Sequence, residues 1–534
     1  MHQPPYRDAL NGRYVLPWTY LHAIKDYTDM AAHLEAHAGA KAVVNFTPVL
    51  IEQLEELAQA VQANLHGDEP LPDALLASLS AAPLPVEPAE RLALLRACLR
   101  ADRRNLIERF APFTQLADLA AQLATPERVG YASDALLHDL SVWYHLAWLG
   151  ESTRGDERVM QLTAKGSGFD AADRRALLGY IGELLSGILP RWRALADAGR
   201  CELSVSPFSH PILPLLLNFN AARESQPNAP LPHAPGYPGG ADRVAWHLTE
   251  AVRCFERVFG HRPRGCWPSE GAISDESVAA IDAAGFDWLA TGSGVLRGSL
   301  EISDVPVADE QAALEAQLNR AWTKPGGAVR CFFRHEALSD QIGFTYSHWQ
   351  GEDAAADFTR EVEAIEQRTR GTAGRGRVLL VALDGENAWE HYPNNGQSFL
   401  QALYALLSRH PHLRLATLSE VVQQQRAARI APAPLPRVRA GSWGYGTLST
   451  WIGDADKNRG WDLLCAAKQA FDAAVIGGRL NSDEHYARAL RQLAACEASD
   501  WFWWFGDYNP AGAVRDFDEL YRRQLTSLYH ALDL

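Results

Sequence analysis

The sequence has no paired cysteines, no excess of basic residues and no long apolar runs, and each of these absences excludes a class of protein. Its seven cysteines are scattered without a C-x-x-C pair, which argues against a disulfide framework and a cysteine zinc site. Acidic residues outnumber basic ones by 65 to 50, and the net charge of -15 argues against nucleic acid or an anionic membrane as partner. The start lacks a basic-then-apolar signal and no apolar span reaches membrane length, so we expect a cytoplasmic protein.

Several short catalytic motifs are also missing. There is no serine nucleophile elbow and no glycine-rich dinucleotide fingerprint. His33 and His37 have the i, i+4 spacing of a zinc-binding helix, but the catalytic glutamate of H-E-x-x-H is missing between them. A neutral ligand fits this composition best, and the patterns specify no oligomeric state.

The chain does contain enough apolar sequence for a large α/β fold. It has 534 residues, of which 47% are hydrophobic and 22% charged, as expected for a large barrel with one appendage. Brief apolar stretches at 41–46, 201–206 and 286–291 are typical of buried strands, and helical patterns lie between them. This alternation predicts a parallel sheet with helices outside. We expect a barrel over residues 1–430 with a helical insertion at about 50–200, and a helical region over 437–534 that completes the cleft.

The stretch from Val378 to Gly396 is the strongest candidate for a catalytic site. Its first six residues are apolar and predict a strand that is buried on both faces. Asp384 comes directly after them, Glu386 lies two residues further on, and Trp389 follows. Loops at the carboxyl ends of barrel strands carry active sites, and aromatic faces bind the apolar face of a sugar. The alternative is that Asp384 simply caps the next helix.

A second carboxylate, Glu270, follows Trp267 and Pro268 at another predicted strand end. Hydrolysis of a glycosidic bond with retention needs two carboxylates, one as the nucleophile and the other as the general acid/base. Glu270 and Asp384 fit these roles. The alternative interpretation of Trp-Pro-Ser-Glu is a helix start, with Glu270 in its first turn.

Histidines and tryptophans accompany these carboxylates. His2, His210 and His335 also lie near predicted strand ends, where they act as structural residues, as catalytic residues or as metal ligands. The run from Trp501 to Trp504 is denser in aromatic rings than core packing alone requires, which indicates that Trp503 lines a groove next to Asp500.

These residues together resemble glycoside hydrolase family 57, over nearly the full length and in the order of the family's five motifs. The matching segments are His2-Gln3-Pro4, Cys201-Glu202-Leu203-Ser204-Val205, Trp267-Pro268-Ser269-Glu270, Asp384-Gly385-Glu386 and Ser499-Asp500-Trp501-Phe502-Trp503-Trp504. Ser209-His210, the segment from Asp340 to Phe344, and Trp451 to Asp454 are similar to its amylopullulanase and α-amylase-like branch. Family members have an apolar first strand before His-Gln-Pro, whereas only Met1 precedes it here.

The resemblance implies an incomplete (β/α)7 barrel with a C-terminal helical domain, and a retaining enzyme that acts on α-glucans without a metal cofactor. It implies Glu270 as nucleophile and Asp384 as general acid/base. The residues expected to bind the sugar or orient this pair are His2, Glu202, His210, Trp267, His335, Asp340, Glu386, Trp389, Asp500 and Trp503.

The expected activity is cleavage of α-1,4 or α-1,6 bonds in starch, glycogen or maltodextrin. Three alternatives remain open. The same carboxylate pair serves a 4-α-glucanotransferase or a branching enzyme, in which a sugar replaces water as acceptor. A metal-dependent polysaccharide deacetylase on a similar barrel would be inhibited by chelators. A glucan-binding protein without turnover would keep the groove and lack the chemistry.

Overall fold

The computed structural model describes residues 1–307, 310–370 and 376–534, and its centre is a curved parallel sheet. The strands are β1 (Ala42–Phe46), β2 (Cys201–Val205), β3 (Gly265–Cys266), β4 (Trp288–Gly292), β5 (Trp322–Thr323), β6 (Arg330–Arg334) and β7 (Ala433–Pro434). They lie in the order β1-β2-β3-β4-β6-β5-β7. All pairs are parallel except β5 with β6. The sheet and the surrounding helices form an incomplete (β/α)7 barrel, as the sequence predicts.

Register places the carboxyl ends of the strands at one edge of the barrel. Ala42 lies opposite Cys201 and Phe46 opposite Val205, while Trp288 pairs with Arg330 at the other side of the sheet. Because all these strands run the same way, the loops after β1, β2, β3 and β6 open towards the same cavity.

The segment Val378–Leu383 differs from the sequence prediction. Instead of a regular strand it makes one parallel bridge, between Arg334 and Leu380, and its apolar side chains are only half-buried. His335 N–H donates to the Leu380 carbonyl at 2.7 Å, which holds this edge of the segment against β6. Within the described ranges no strand pairs with the other edge, so the segment is not enclosed on both sides as its apolar composition predicts.

Between β1 and β2 the chain is helical. The longer helices there are Pro48–Gly67, Pro88–Ala97, Ala111–Leu123, Asp134–Trp148, Glu157–Lys165 and Ala171–Asp197. The last of these begins with a capping box, in which the Asp170 carboxylate accepts from Asp173 N–H and the Asp173 carboxylate accepts from Asp170 N–H. It packs along Pro48–Gly67 through apolar faces that include Leu54, Val61 and Ile181.

The remaining helices cover the sheet and close the chain. The longer ones are Thr28–Ala36, Gly240–Phe259, Asp275–Ala283, Ser293–Ile302, Gln311–Leu318, Gly351–Thr369, Gln397–Ser408, Leu418–Ala427, Ala455–Ile476, Asp483–Cys496 and Ala511–Ala531. Ala433 and Pro434 pair with β5, so this Pro-rich stretch is part of the sheet. Among the helices of the described ranges, none combines the length and the apolar character that a membrane crossing requires.

A buried charge cluster ties the C-terminal helices to the barrel. The Glu497 carboxylate is fully buried and accepts from Arg243 at 2.6 and 2.8 Å, from Tyr237 at 2.5 Å and from His247 at 2.7 Å. Burial alone would raise the pKa of Glu497, but Arg243 and His247 outweigh it and lower that pKa far below its usual range. The helix Gly240–Phe259 is thereby joined to the turn just before Asp500.

Candidate active site

A turn after β3 holds Glu270 in a strained backbone conformation. Glu270 has φ +57° and ψ +23°, in the left-handed region that costs a residue with a Cβ about 1–3 kcal/mol. Trp443 offsets this strain with two hydrogen bonds. Its backbone N–H donates to the Glu270 carbonyl at 3.2 Å, and its indole N–H donates to the carboxylate Oε2 at 3.1 Å. Trp443 thus holds both the backbone and the side chain of Glu270, whose carboxylate lines the cavity.

Asp384 lines the same cavity. The cavity measures about 1690 Å³, and both carboxylates are among its lining residues. Asn387 donates its side-chain amide to Asp384 Oδ2 at 3.0 Å. Asp384 remains accessible to solvent through the cavity.

The electrostatics couple the two carboxyl groups. The pKa of Glu270 is raised to about 7, mainly by burial and secondly by the charge of Asp384. The pKa of Asp384 is raised, mainly because the cavity removes the group from bulk water and secondly because of the charge of Glu386. The charge of Asp384 therefore raises the pKa of Glu270, whereas the carboxylate that raises the pKa of Asp384 is Glu386.

Glu386 lies below Asp384 in a buried hydrogen-bond network. Its side chain is 4% exposed, and Oε1 accepts from the His2 backbone N–H at 2.9 Å, from Tyr27 at 3.0 Å and from Gln3 at 3.4 Å. Glu386 therefore anchors the chain at His2 beside the loop that carries Asp384.

Two histidines and an aspartate lie next to Glu270. His2 Nε2 is 2.8 Å from Asp500 Oδ1, and its Nδ1 is 3.1 Å from the Thr47 hydroxyl. The His2 ring stacks on His210 with centroids 3.8 Å apart, and His210 Nδ1 lies 4.0 Å from Glu270 Oε1. The hydrogen bond between His2 and Asp500 joins residues 498 positions apart.

The pKa values of His2 and His210 are shifted in opposite directions. Burial would lower the pKa of His2, but Asp500 and the carboxylates of Glu270 and Glu386 outweigh it and raise that pKa. Burial and the neighbouring His2 lower the pKa of His210 well below its usual value. Of the two stacked rings beside Glu270, His2 therefore has the greater tendency to be cationic and His210 the greater tendency to be neutral.

Among the residues that the structure describes, the same cluster could hold a metal ion. His2, His210 and Asp500 each offer one ligand atom, and these atoms lie within 4.8 Å of one another. The donor set of two imidazoles and a carboxylate would suit a divalent transition metal. In the structure His2 and Asp500 form a hydrogen bond with each other.

Indole rings line the cavity around the carboxylates. Trp267 and Trp443 meet edge to face with centroids 5.1 Å apart, and both contribute to the wall. Trp503 is 37% exposed at the cavity rim. Trp389 also lines the cavity, but it is only 4% exposed, and its ring packs against Tyr392 with centroids 5.5 Å apart.

Three predicted site residues lie outside the cavity wall. Glu202 accepts from the Trp288 indole at 2.8 Å and from Ser419 N–H at 2.9 Å, and so braces β2 against a helix. His335 Nδ1 accepts from Leu338 N–H at 3.3 Å, at the start of a short helix. Their local hydrogen bonds give Glu202 and His335 a structural position in place of the expected sugar contact.

Asp340 is the third of these residues. It pairs with Arg334 at 2.6 Å, and its side chain is 51% exposed. The Arg334 guanidinium lies over the Trp443 ring, 4.9 Å from its centroid. Asp340 thus acts on the site only through Arg334 and Trp443, in place of the direct contact predicted.

Sequence reasoning missed Trp443, Tyr27 and Ser499. Ser499 Oγ lies 3.1 Å from His210 Nδ1, and Trp443 makes both hydrogen bonds to Glu270. Trp443 follows Gly441 and Ser442 in an irregular stretch, where only its aromatic character gave a signal. Tyr27 lies within a helical pattern that does not distinguish it from a core residue.

Comparison with known proteins supports this architecture. The family model described as glycosyl hydrolase family 57 matches residues 1–434. A GH57-type branching enzyme from Pyrococcus horikoshii is similar in structure with a TM-score of 0.58 and 16% identity, over 99% of this chain and 87% of that one. The α-amylase AmyC from Thermotoga maritima has a TM-score of 0.59 and 14% identity, over 100% and 91%.

A third structure, the branching enzyme TK1436 from Thermococcus kodakaraensis, has a TM-score of 0.58 and 16% identity, over 99% of this chain and 87% of that one. At these identities the structural likeness shows the common fold. The family match covers most of the chain and includes both carboxylates in the cavity. The chain therefore belongs to glycosyl hydrolase family 57.

Proposed function

We propose that this protein is a retaining glycosidase that cleaves α-glucosidic bonds in starch-, glycogen- or maltodextrin-type glucans. Glu270 is the nucleophile and Asp384 the general acid/base. The observation that carries the proposal is that both carboxylates line one cavity together with tryptophans, and that each has a raised pKa. Family membership and the fold that the chain shares with an amylase and two branching enzymes support it.

The reaction proceeds in two displacements. The Glu270 carboxylate attacks the anomeric carbon while protonated Asp384 gives its proton to the leaving glycosidic oxygen, and a glucosyl ester of Glu270 forms. Ionised Asp384 then removes a proton from water, which attacks the same carbon and releases Glu270. A retaining mechanism of this type requires the two carboxyl groups to lie roughly 5–5.5 Å apart.

The surroundings of each carboxyl group suit its role. The Trp443 indole donates to Glu270 and favours its ionised form, and the cationic tendency of His2 acts in the same direction. Asp384 has neighbouring Glu386 and a raised pKa, which favours the protonated form that the first step needs. In this proposal Asp384 carries the proton and Glu270 the negative charge at the start of the first step.

The other cavity residues bind or orient the sugar in this proposal. His2, His210 and Asp500 form the hydrogen-bonded cluster beside the nucleophile. Trp267 and Trp503 offer ring faces or edges to glucose units. We also propose that residues 1–430 form the catalytic barrel and that 437–534 form a helical domain completing the cleft, since Asp500 reaches His2 from that part of the chain.

The first test replaces each carboxylate by its amide. Glu270→Gln and Asp384→Asn should each leave a folded protein, because both groups face a cavity. We expect turnover of maltooligosaccharides to fall by at least ~10²–10⁴-fold in each variant. Near-native activity in either variant would exclude the role assigned to that residue. If the unmodified protein bound glucans but turned none over, a non-catalytic binding protein would be favoured.

Rescue with azide separates the two roles. With an activated maltosyl fluoride, Glu270→Ala should make the glycosyl azide of β configuration, because azide attacks from the face that Glu270 vacates. Asp384→Ala should make the α azide, because azide takes the place of water on the covalent intermediate. If the two configurations were exchanged between the variants, the assignment of the residues would be reversed.

Transfer to a sugar acceptor is the second candidate function. It is favoured by Trp503, whose half-exposed ring at the cavity rim can hold an acceptor glucose beside the covalent intermediate. Incubation with amylose, pullulan and maltotriose separately, followed by sizing of the products, separates the cases. Hydrolysis accumulates reducing ends, whereas transfer redistributes chain lengths, or creates branches, at constant reducing value.

A further inference from the structure

A second cavity lies among the helices between β1 and β2. It measures about 570 Å³ and shares no lining residue with the active-site cavity. Its lining comes mainly from the proline-rich segment 81–88, from the start of the helix Asp134–Trp148 and from Arg174 in the helix Ala171–Asp197. We call this cavity the insertion pocket. Its volume falls within the range of small-molecule binding sites.

The Arg174 guanidinium is buried at this pocket without a counter-charge. The residue is 7% exposed, and its buried Nε makes no hydrogen bond. The side chain donates one long hydrogen bond, from Nη1 to the Phe169 carbonyl at 3.4 Å. The acids nearest to it in sequence, Asp170 and Asp173, are ion-paired with Lys165. Because a guanidinium stays charged in a protein, burying it without a partner is costly, and a bound anion would remove that cost.

The acid that lines the pocket is already paired. Asp134 is the one carboxylate among the described lining residues, and Arg91 Nη1 lies 2.7 Å from it. Arg91 also donates to the carbonyls of Pro85 at 3.1 Å and Ala132 at 2.6 Å. Arg91 therefore neutralises Asp134 and fastens the proline-rich segment to the start of the helix Asp134–Trp148. The charge of Arg174 remains uncompensated.

The start of that helix favours an anion as well. Ser133 caps the helix by accepting from Leu136 N–H at 3.2 Å, and the pocket lies at this end, where helix N–H groups attract negative charge. His138, one turn further along, also lines the pocket. Burial, and then the charge of Arg174, lower the pKa of His138. An anion in the pocket would offset this repulsion between His138 and Arg174.

The proline-rich segment gives the pocket an apolar side. Pro83, Pro85 and Val86 line it, and Val86 is 85% exposed. Tyr131, which follows the lining residue Gly130, is 81% exposed. Exposed apolar side chains beside a buried cation suit a ligand that has an apolar body and one anionic head.

We propose that the insertion pocket binds a small organic anion, whose phosphate or carboxylate head pairs with Arg174. Its apolar body packs on Pro83, Pro85 and Val86. The guanidinium presents its N–H groups as a planar fork, which matches the oxygens of either head group. The site is separate from the two catalytic carboxylates, so this binding does not depend on the proposed glucan chemistry.

The experiment measures binding to the full chain by calorimetry at constant ionic strength. The probes are phenyl phosphate and benzoate, and inorganic phosphate and acetate serve as matched anions without the apolar body. We expect each aromatic probe to bind about tenfold or more tightly than its matched small anion, because the ring buries apolar surface. The tighter of the two aromatic probes identifies the head group. The absence of saturable binding by both aromatic probes would overturn the proposal.

A pair of arginine variants tests the contact with the head group. Arg174→Met removes the cation and keeps most of the apolar stem, and we expect the affinity for the tighter probe to fall by about tenfold or more. Arg175→Met is the control, because Arg175 is the next residue of the same helix and its side chain is exposed. Equal affinities in these two variants would overturn the proposal.

A second pair of variants keeps the test decisive even if Arg174→Met does not fold. Gly130 lines the pocket, and a Cβ added there meets open space. Gly130→Glu adds a negative charge beside the pocket, whereas Gly130→Gln adds a neutral side chain of the same size. We expect the glutamate variant to bind the probe about fivefold or more weakly than the glutamine variant. Equal affinities in this pair would show that no anion binds here and would overturn the proposal.

Discussion

Replacing Trp443 with phenylalanine should shift the acidic limb of the pH–activity profile to higher pH. The Trp443 indole N–H donates to Glu270 Oε2 at 3.1 Å and lowers the pKa of that carboxyl group. Phenylalanine removes this donor. It keeps an aromatic ring against Trp267, at 5.1 Å, and below Arg334, at 4.9 Å. The change therefore isolates one hydrogen bond.

The size of the shift follows from the strength of such a bond. A hydrogen bond to a charged group is worth about 1.5–3 kcal/mol, and one pKa unit corresponds to about 1.36 kcal/mol. The side chain of Glu270 is 21% exposed, so water replaces part of the lost interaction and we expect a shift near the lower end, about one unit.

The direction of the shift follows from the charge that the first step needs. Burial and Asp384 already raise the pKa of Glu270 to about 7, and loss of the indole donor raises it further. Because Glu270 attacks as the anion in the proposed mechanism, kcat/KM on the acidic limb should fall by about tenfold at a fixed pH.

The assay is the pH dependence of kcat/KM on a maltooligosaccharide for both proteins. Trp322→Phe is the matched control, because the Trp322 indole also donates one hydrogen bond, to the Gln317 carbonyl at 3.0 Å, and lies near Arg320. Its pH profile should be unchanged. A lower rate in Trp443→Phe with an unshifted acidic limb would refute the reasoning, since the indole would then affect geometry and leave the charge of Glu270 unaltered.

Two further predictions concern charged clusters. Asp500→Asn should lower the pKa of His2, because Asp500 is the strongest of the charges that raise it, and NMR titration of the ring measures the change. The exposed Asp507→Asn is the control, and an unmoved titration in Asp500→Asn would contradict the cluster as described. Glu497→Gln should destabilise the protein by about 3–5 kcal/mol at neutral pH, because Arg243 is left buried without its counter-charge. The lowered pKa of Glu497 contributes stability above the ordinary glutamate pKa of about 4.3, so the gap in thermal midpoint to the unmodified chain should narrow as pH falls below that value. A gap in thermal midpoint that stays constant with pH would exclude this linkage. The exposed Glu484→Gln is the control and should have the same thermal midpoint as the unmodified chain.

Much of the barrel could be predicted because its signals are local. The apolar stretches at β1, β2 and β4 are short, bounded and separated by helical periodicity, and the structure forms them within one or two residues of the expected positions. The prediction of a regular strand at Val378–Leu383 was wrong for a reason that local sequence does not contain. A strand needs neighbours on its edges, and in the part of the chain that the structure describes this segment has a strand partner on one side, at Arg334.

Local sequence located some residues of the candidate site, whereas tertiary packing decided the orientation of others. Glu270 and Asp384 could be located because each follows a strand signal and has a tryptophan within five residues. Glu202 and His335 carry similar signals, yet their hydrogen bonds to Ser419 and Leu338 turn them away from the cavity. A strand end determines where a side chain starts, and packing determines which way it points.

The sequence by itself determined the alternation of strands and helices, the two carboxylates at strand ends and the acidic, cysteine-poor character of the protein, since these depend on residue type and spacing. Only the tertiary structure decided that Trp443 hydrogen-bonds to Glu270 and that Asp500 hydrogen-bonds to His2 across 498 positions. Those contacts join segments far apart in the chain. They arise from how the apolar faces of whole elements pack, which no short stretch of residues encodes.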